Sequence, residues 1–259
     1  MADGAFEYSV EFYDALYGAK DYAGEASAVS GMIREQLPSA NELLDIGSGT
    51  GRHALEFERL GFSVTGVDVS PEMVEAAKRR SSQVDSRCKF LVGDARDLRL
   101  GHNFDAVVSL FHVASYQSTD RDLRNYFSTV AAHLKTGGIF VFDFWCAAGV
   151  LSEPPQARVR RVKIPQGEVI RITEPTHHVA DSIVDVRFEY QLHGAGSGLL
   201  SRSNELHKMR YFSVSELRAL LAGNGLSILH AGEFASGPLS PRTFNGLIVA
   251  RNDLEHARV

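Results

Sequence analysis

At 259 residues, 44% of them hydrophobic and 23% charged, the chain has an ordinary folded protein's composition and can bury one substantial core plus an elaboration. Its 27 Lys and Arg stand against 32 Asp and Glu, and the formal charge of -5 leaves no basic footprint, so no nucleic acid partner is expected. No apolar run reaches the roughly 18 residues needed to cross a bilayer, MADGAFEYSV lacks the regions of a secretory leader, and Cys88 and Cys146 sit in or beside apolar runs as reduced thiols would; the sequence predicts a cytoplasmic protein without a membrane partner.

The first predicted strand is NELLDIG, followed by glycines at 47, 49 and 51 and then a helix. FSVTGVDVS is a second strand. It leads into SPEMVEAAKRR, where Ser70 caps the helix and Pro71 takes the first helical position. CKFLVGD and FDAVVSLF are further strands. In DRDLRNYFSTVAAHL the residues Leu123, Phe127, Val130 and Leu134 recur at helical spacing, and a KTGG turn precedes the strand IFVFDFW. Strands apolar on both faces, separated by amphipathic helices, predict an α/β fold with a parallel sheet covered on both sides.

The pattern changes from about Val159 to Arg210, where period-two alternation replaces helical spacing. Val184, Val186, Phe188 and Tyr190 alternate with polar residues, as in an antiparallel sheet with one covered face. Residues 150–207 are therefore expected to form an inserted β-rich lid over the mouth of the main sheet, on a core made of residues 1–149 and 208–259. The α/β pattern returns at FSVSELRALLAGNGL, with Ser213 and Glu216 as a capping box and Gly223 or Gly225 as the stop. SILHAGEF and FNGLIVARND complete the sheet.

In such a sheet the crevice beyond the carboxyl ends of the strands is the default ligand site. Gly47, Gly49 and Gly51 stand there, in the order G-S-G-T-G. That is neither the G-x-G-x-x-G dinucleotide fingerprint nor a phosphate loop, since no G-K-[ST] follows. Asp68 ends the second strand 21 residues after Gly47, at the distance of a ribose-binding carboxylate. Asp94 follows the third strand, where it can accept from an exocyclic adenine amine while Ala95 offers a backbone N–H. Together they point to a ligand that carries adenosine.

These segments, with VTGVDVSPEMVEAAKRR, FLVGDARDLRL, FDAVVSLFHVASYQ and LKTGGIFVFDFW, resemble the successive motifs of the class I S-adenosylmethionine-dependent methyltransferases. The resemblance covers about residues 10–145 and, more loosely, 206–252. It implies a Rossmann-like seven-stranded sheet of order 3-2-1-4-5-7-6 with the last strand antiparallel, and S-adenosylmethionine as cofactor. It also implies that Asp45 contacts the cofactor region or orients the glycine loop, that the three glycines line the methionine portion, that Asp68 takes the ribose and that Asp94 takes the adenine. The segment YDALYGAKDYAGEA is similar to the small-molecule branch that includes N-methyltransferases of nucleotide-linked amino sugars. By that resemblance Tyr13 and Tyr22 cover the cofactor and Tyr17 faces the acceptor as a catalytic candidate.

Methyl transfer is an in-line displacement, for which the protein must chiefly align a nucleophile and exclude water. His112, just past the fourth strand, is the candidate base, with a structural hydrogen bond as its alternative. Tyr116, Trp145 and Arg242 are candidates to contact the acceptor. No cluster with metal-ligand spacing is present in the sequence, so no metal is expected. The expected partner is a small molecule, foremost an amine of a sugar or nucleotide-linked sugar, acted on by a monomer or homodimer. A hydroxyl or carboxylate acceptor, a nicotinamide-dependent oxidoreductase and a non-catalytic cofactor-binding module are the alternatives.

Overall fold

The computed structural model describes residues 10–196, 198–234 and 237–254; the leader reading rested largely on residues 1–9, outside this range. In chain order the elements are α1 (Val10–Tyr17), α2 (Tyr22–Gln36), β1 (Glu42–Ile46), α3 (Arg52–Arg59), β2 (Ser63–Asp68), α4 (Pro71–Gln83), β3 (Lys89–Val92) and β4 (Phe104–Ser109). A 3-10 turn (Val113–Tyr116) leads to α5 (Asp120–His133), β5 (Leu134–Cys146) and α6 (Ala147–Ser152). Then come β6 (Arg158–Ile164), β7 (Gly167–His178), β8 (Ile183–Gly194), β9 (Gly198–Phe212), α7 (Val214–Ala222), β10 (Leu226–Glu233), the short β11 (Gly237–Pro238) and β12 (Asn245–Asn252).

The main sheet runs β3-β2-β1-β4-β5, with β12 antiparallel beside β5 and β10 beyond it. This is the expected 3-2-1-4-5-7-6 order. Period two along β5 divides its side chains between two cores. Phe140, Phe142 and Phe144 pack under α5 and α7, while Ile139 and Val141 join Ile33 of α2, Phe57 of α3 and Val74 of α4 on the other face. Ser70 caps α4 as expected, accepting from the Met73 N–H at 3.2 Å. Ser213 likewise accepts from the Glu216 N–H, but the Glu216 carboxylate turns to Arg210 instead of closing the capping box. The Lys135–Gly138 stretch, read as a turn, is already strand: β5 begins at Leu134 and accommodates the glycines by a register shift against β4.

β6 to β9 form an antiparallel meander. Its last strand joins β5 in parallel at Trp145 and Cys146, beyond the point where β4 ends opposite Phe142. The meander thus rises from the carboxyl end of the main sheet, where the glycine loop also lies. β9 is unbroken through residue 207, since the Trp145–Tyr211 and Cys146–Phe212 pairs anchor it to the core. Val184, Val186 and Tyr190 are buried and Phe188 is partly buried, so the alternation read in β8 does define its covered face.

Candidate active site

The glycine loop leaves β1 with Gly47 and Gly49 both at positive φ (78° and 53°). A side chain at 47 would put its Cβ 2.3 Å from a Val113 methyl, whereas at 49 it would meet nothing within 4 Å, because that glycine borders open space. Gly51 differs from expectation. It precedes α3 at a positive φ of 77° and lies against Phe90 and Ala77, so its left-handed backbone and close packing with the core, not the ligand cavity, exclude a larger residue there.

Asp68 lines the cavity and braces this loop, accepting from the Gly49 N–H at 2.8 Å and the Ser70 N–H at 3.0 Å. Burial raises its carboxyl, and these N–H groups oppose the shift. Asp45, by contrast, lies beneath the loop and does not line the cavity, which corrects its reading as a direct cofactor contact. It is 2% exposed, its Oδ2 has no hydrogen-bond partner among the described residues, and burial followed by the charge of Asp68 pushes its carboxyl up to about 7.

That burial has a consequence of definite sign. Asp45 keeps its proton to about pH 7 in the folded chain but ionises near 3.8 when unfolded, so it costs stability as pH rises through this window and no more above it. The stability difference between Asp45→Asn and wild type is expected to grow in the variant's favour by up to about 4 kcal/mol between roughly pH 4 and pH 8, measured by urea unfolding. A difference that does not change with pH contradicts this assignment.

Asp94 and Ala95 line the cavity beyond Asp68. The Asp94 carboxylate is held below its usual range by the Arg96 guanidinium, which it engages through both oxygens, so a ligand amine there shares an already occupied acceptor. On the opposite side, α1 is tied to the loop because Asp14 accepts from Thr50 and Arg52 and also pairs with Arg80. This places Tyr13 and Tyr17 on the wall, with ring centroids 4.8 Å apart. Tyr22 lines it too, beside His53 and under Arg52, with a buried hydroxyl that lacks a partner among the described residues. Ser48 Oγ is in the same condition. Two unsatisfied polar atoms, a glycine facing open space and a ribose-distance carboxylate fit the polar groups of S-adenosylmethionine.

Past β4 the chain turns through two successive bulky residues at positive φ, Phe111 (70°) and His112 (68°). Such a conformation costs on the order of 1–3 kcal/mol per residue and persists only where neighbours enforce it. Asp143 of β5 does so, accepting the His112 N–H at 2.7 Å. Its other oxygen is 3.2 Å from His112 Nδ1, near enough for an ion pair but not aligned as a hydrogen bond. His112 and Trp145 both line the cavity, their ring centroids 6.4 Å apart. Asp143 was not anticipated, although a lone acid inside IFVFDFW was a usable signal.

The concave face of the meander forms the remaining wall. Cross-strand pairing sets Arg160, Arg171 and Tyr190 in one row and brings Phe188 opposite Glu205 and Val186 opposite His207. Arg171 is 3% exposed, donates to the Tyr17 hydroxyl at 2.7 Å, has an Nε without a partner and joins no ion pair among the described residues. Tyr116 contacts His207, whose far nitrogen is 3.0 Å from Glu205. None of Arg171, His207 and Glu205 was singled out from sequence. Arg242, which was, lies outside the cavity: its side chain is exposed beside Glu153 at 3.4 Å, although Phe244 two residues on lines the wall.

The cavity so enclosed is about 1280 Å³, beyond the roughly 300–1,000 Å³ typical of single-ligand pockets and large enough for two molecules side by side. Among the described residues no helix is long and apolar enough to cross a membrane, and both cysteines are free, with Cys146 buried and Cys88 partly so.

A model of the methyltransferase domain matches residues 43–138, from β1 into the start of β5. Over 225 residues the chain is 29% identical to dTDP-3-amino-3,4,6-trideoxy-alpha-D-glucopyranose N,N-dimethyltransferase of Streptomyces venezuelae, covering 84% of this chain and 90% of that one. Among solved structures, DesVI of Streptomyces venezuelae is similar at 27% identity with a TM-score of 0.77, covering 93% of this chain and 96% of that chain. CalS10 from Micromonospora echinaspora, an amino pentose methyltransferase solved with S-adenosylmethionine bound, is similar at 25% identity with a TM-score of 0.75 and the same coverage. These matches set aside the nicotinamide reading that the glycine spacing already disfavoured. With the motif order, the sheet topology and the relatives in agreement, the chain is an S-adenosylmethionine-dependent methyltransferase.

Proposed function

We propose that the protein methylates an amine on a nucleotide-linked sugar. The observation that carries this reading is Arg171, a buried guanidinium without a carboxylate partner, set among aromatic rings on the acceptor side of a two-ligand cavity. A buried cation of this kind is costly unless an anion meets it, and the phosphates of a nucleotide-linked sugar supply one. The relatives' acceptors are named as dTDP-linked amino sugars. Calorimetry in the presence of S-adenosylhomocysteine tests the reading: a dTDP-linked amino sugar binds at least about 100-fold more tightly than the same sugar without the nucleotide. Equal affinities overturn it.

The residues divide the work as follows. S-adenosylmethionine, when bound, supplies an activated methyl group on a sulfonium. Gly47, Gly49 and Asp68 hold that ligand at the strand ends, Asp94 and Ala95 border its base, and Tyr13 and Tyr22 cover it. Tyr17, held by Arg171, and Trp145 narrow the passage to the acceptor so that water is excluded and the nucleophile is aligned. The meander serves as the lid over this passage. The protein works in the cytoplasm as a monomer or homodimer, without nucleic acid.

A hydroxyl acceptor is the second reading, favoured by His112 beside Asp143, since an alcohol needs a general base. His112→Ala separates the two. With an amine acceptor the turnover changes by less than about fivefold, whereas a base for an oxygen nucleophile costs about 100-fold or more with cofactor affinity preserved.

A further inference from the structure

Tyr116, His207 and Glu205 make a continuous hydrogen-bonded line from the cavity wall into the protein. The Tyr116 hydroxyl is 2.8 Å from His207 Nδ1, and His207 Nε2 is 3.0 Å from Glu205 Oε2. Both His207 and Glu205 are 3% exposed, and the rings of Phe188 and Tyr116 flank the imidazole. Three polar groups have been brought together here from two distant parts of the chain. Tyr116 comes from the turn after β4, while Glu205 and His207 are inward-facing alternate residues of β9. With Glu205 as the carboxylate, which only accepts, Nε2 would carry the imidazole proton and Nδ1 would accept from the phenol. Tyr116 also lines the cavity, where an acceptor's proton would meet its hydroxyl oxygen.

We propose that this line is a proton relay that frees the acceptor's nitrogen lone pair, with Tyr116 as the catalytic residue and His207 and Glu205 as positioning residues. The proposal rests on the amine-acceptor reading above. An alkyl ammonium with a pKa near the lysine value of about 10.4 is free base in roughly one molecule in a few thousand at pH 7, so alignment alone leaves the bound nitrogen without a lone pair. The N–H bond of the ammonium breaks as its proton passes to the Tyr116 oxygen. The phenolic proton passes to His207 Nδ1, and the imidazolium so formed is held by Glu205. The nitrogen lone pair takes the methyl group as its bond to sulfur breaks, with the electron pair leaving on sulfur, and the relay proton returns to solvent after product leaves.

The surroundings favour transfer through the phenol over storage as phenolate. Burial, with Tyr17 of α1, Tyr190 of β8, Glu205 of β9 and Asp68 of β2 adding to it, keeps the Tyr116 hydroxyl protonated well above its ordinary range. Tyr13 faces the same space from α1, and Arg171 of β7 reaches Tyr17 and Tyr190 but lies outside the line itself. His112 sits in the same turn as Tyr116, yet its Nδ1 is not aligned on Asp143, so the hydrogen-bonded line runs through His207.

The test uses the full chain with Tyr116→Phe, His207→Gln and Glu205→Gln. With dTDP-3-amino-3,4,6-trideoxyglucose as probe, Y116F lowers kcat/KM at least tenfold at pH 7 while S-adenosylhomocysteine affinity stays unchanged. As pH rises from 7 toward the amine's pKa the deficit shrinks by up to about tenfold per pH unit, because more of the substrate arrives already deprotonated. A deficit that is constant with pH overturns the relay. Long-range proton–nitrogen correlation spectra, with the His207 signals identified by their loss in H207Q, provide a readout that needs no acceptor. A protonated Nε2 with a bare Nδ1 supports the relay, and a proton on Nδ1 overturns it. If wild type does not methylate the probe, the amino-sugar reading fails and the spectrum alone decides the relay.

Discussion

Replacing Asp68 by alanine is expected to weaken S-adenosylhomocysteine binding by about 30- to 100-fold, or roughly 2–3 kcal/mol by calorimetry. Two losses add. The carboxylate no longer meets the ribose hydroxyls, and the N–H groups of Gly49 and Ser70 lose the acceptor that shapes the loop. Asp68→Asn separates these contributions: its amide oxygen still accepts one N–H, so it retains part of the loop geometry but lacks the charge that makes such bonds strong. Wild-type affinity in D68A would remove the ribose assignment.

Arg171→Met is expected to raise KM for a dTDP-linked acceptor by about 10- to 100-fold with cofactor affinity unchanged. Methionine keeps an apolar stem between Tyr17 and Phe188 but removes the five donors and the charge. Arg171→Lys should fall between, because a lysine supplies charge without the planar fork. Folding is expected to tolerate the change, since loss of a buried cation without a carboxylate partner offsets the loss of its bond to the Tyr17 hydroxyl. An equal rise in KM for an uncharged amino sugar would assign Arg171 to packing of the wall alone.

Local sequence was most informative where function depends on backbone at strand ends. Asp68 was legible because a strand followed by Ser-Pro fixes where the chain turns, and Gly47 and Gly49 because only glycine suits those turns at positive φ. Gly51 illustrates the boundary of that logic. Its spacing and its positive φ (77°) are the same, yet its neighbours are Phe90 and Ala77, contributed by β3 and α4, and tertiary packing is not written in a local motif. Asp45 likewise shares the motif but is buried and does not line the cavity, which the chain reaches only at the next residue, Ile46.

The acceptor side was less legible because its residues meet only through sheet register. The alternation of Val184, Val186, Phe188 and Tyr190 disclosed a covered face, but not that a second use of it would be as a cavity wall. The same period in NELHKMRYF places Glu205, His207, Met209 and Tyr211 together on one face, where two polar residues among apolar ones were the available sign. Arg171 emerges only when β6, β7 and β8 are paired, which sets it between Arg160 and Tyr190. Arg242 was read from its position before the last strand, whereas its side chain points to solvent beside Glu153 and Phe244 of the same loop lines the site.

Mass spectrometry of dTDP-3-amino-3,4,6-trideoxyglucose after incubation with the protein and S-adenosylmethionine most directly tests the central claim, that a methyl group passes from the glycine-loop side of the cavity to an amine held under the meander. The account predicts a sugar carrying at least one added methyl on nitrogen, with S-adenosylhomocysteine formed in equal amount. An unmodified sugar in a sample that binds S-adenosylmethionine would contradict it.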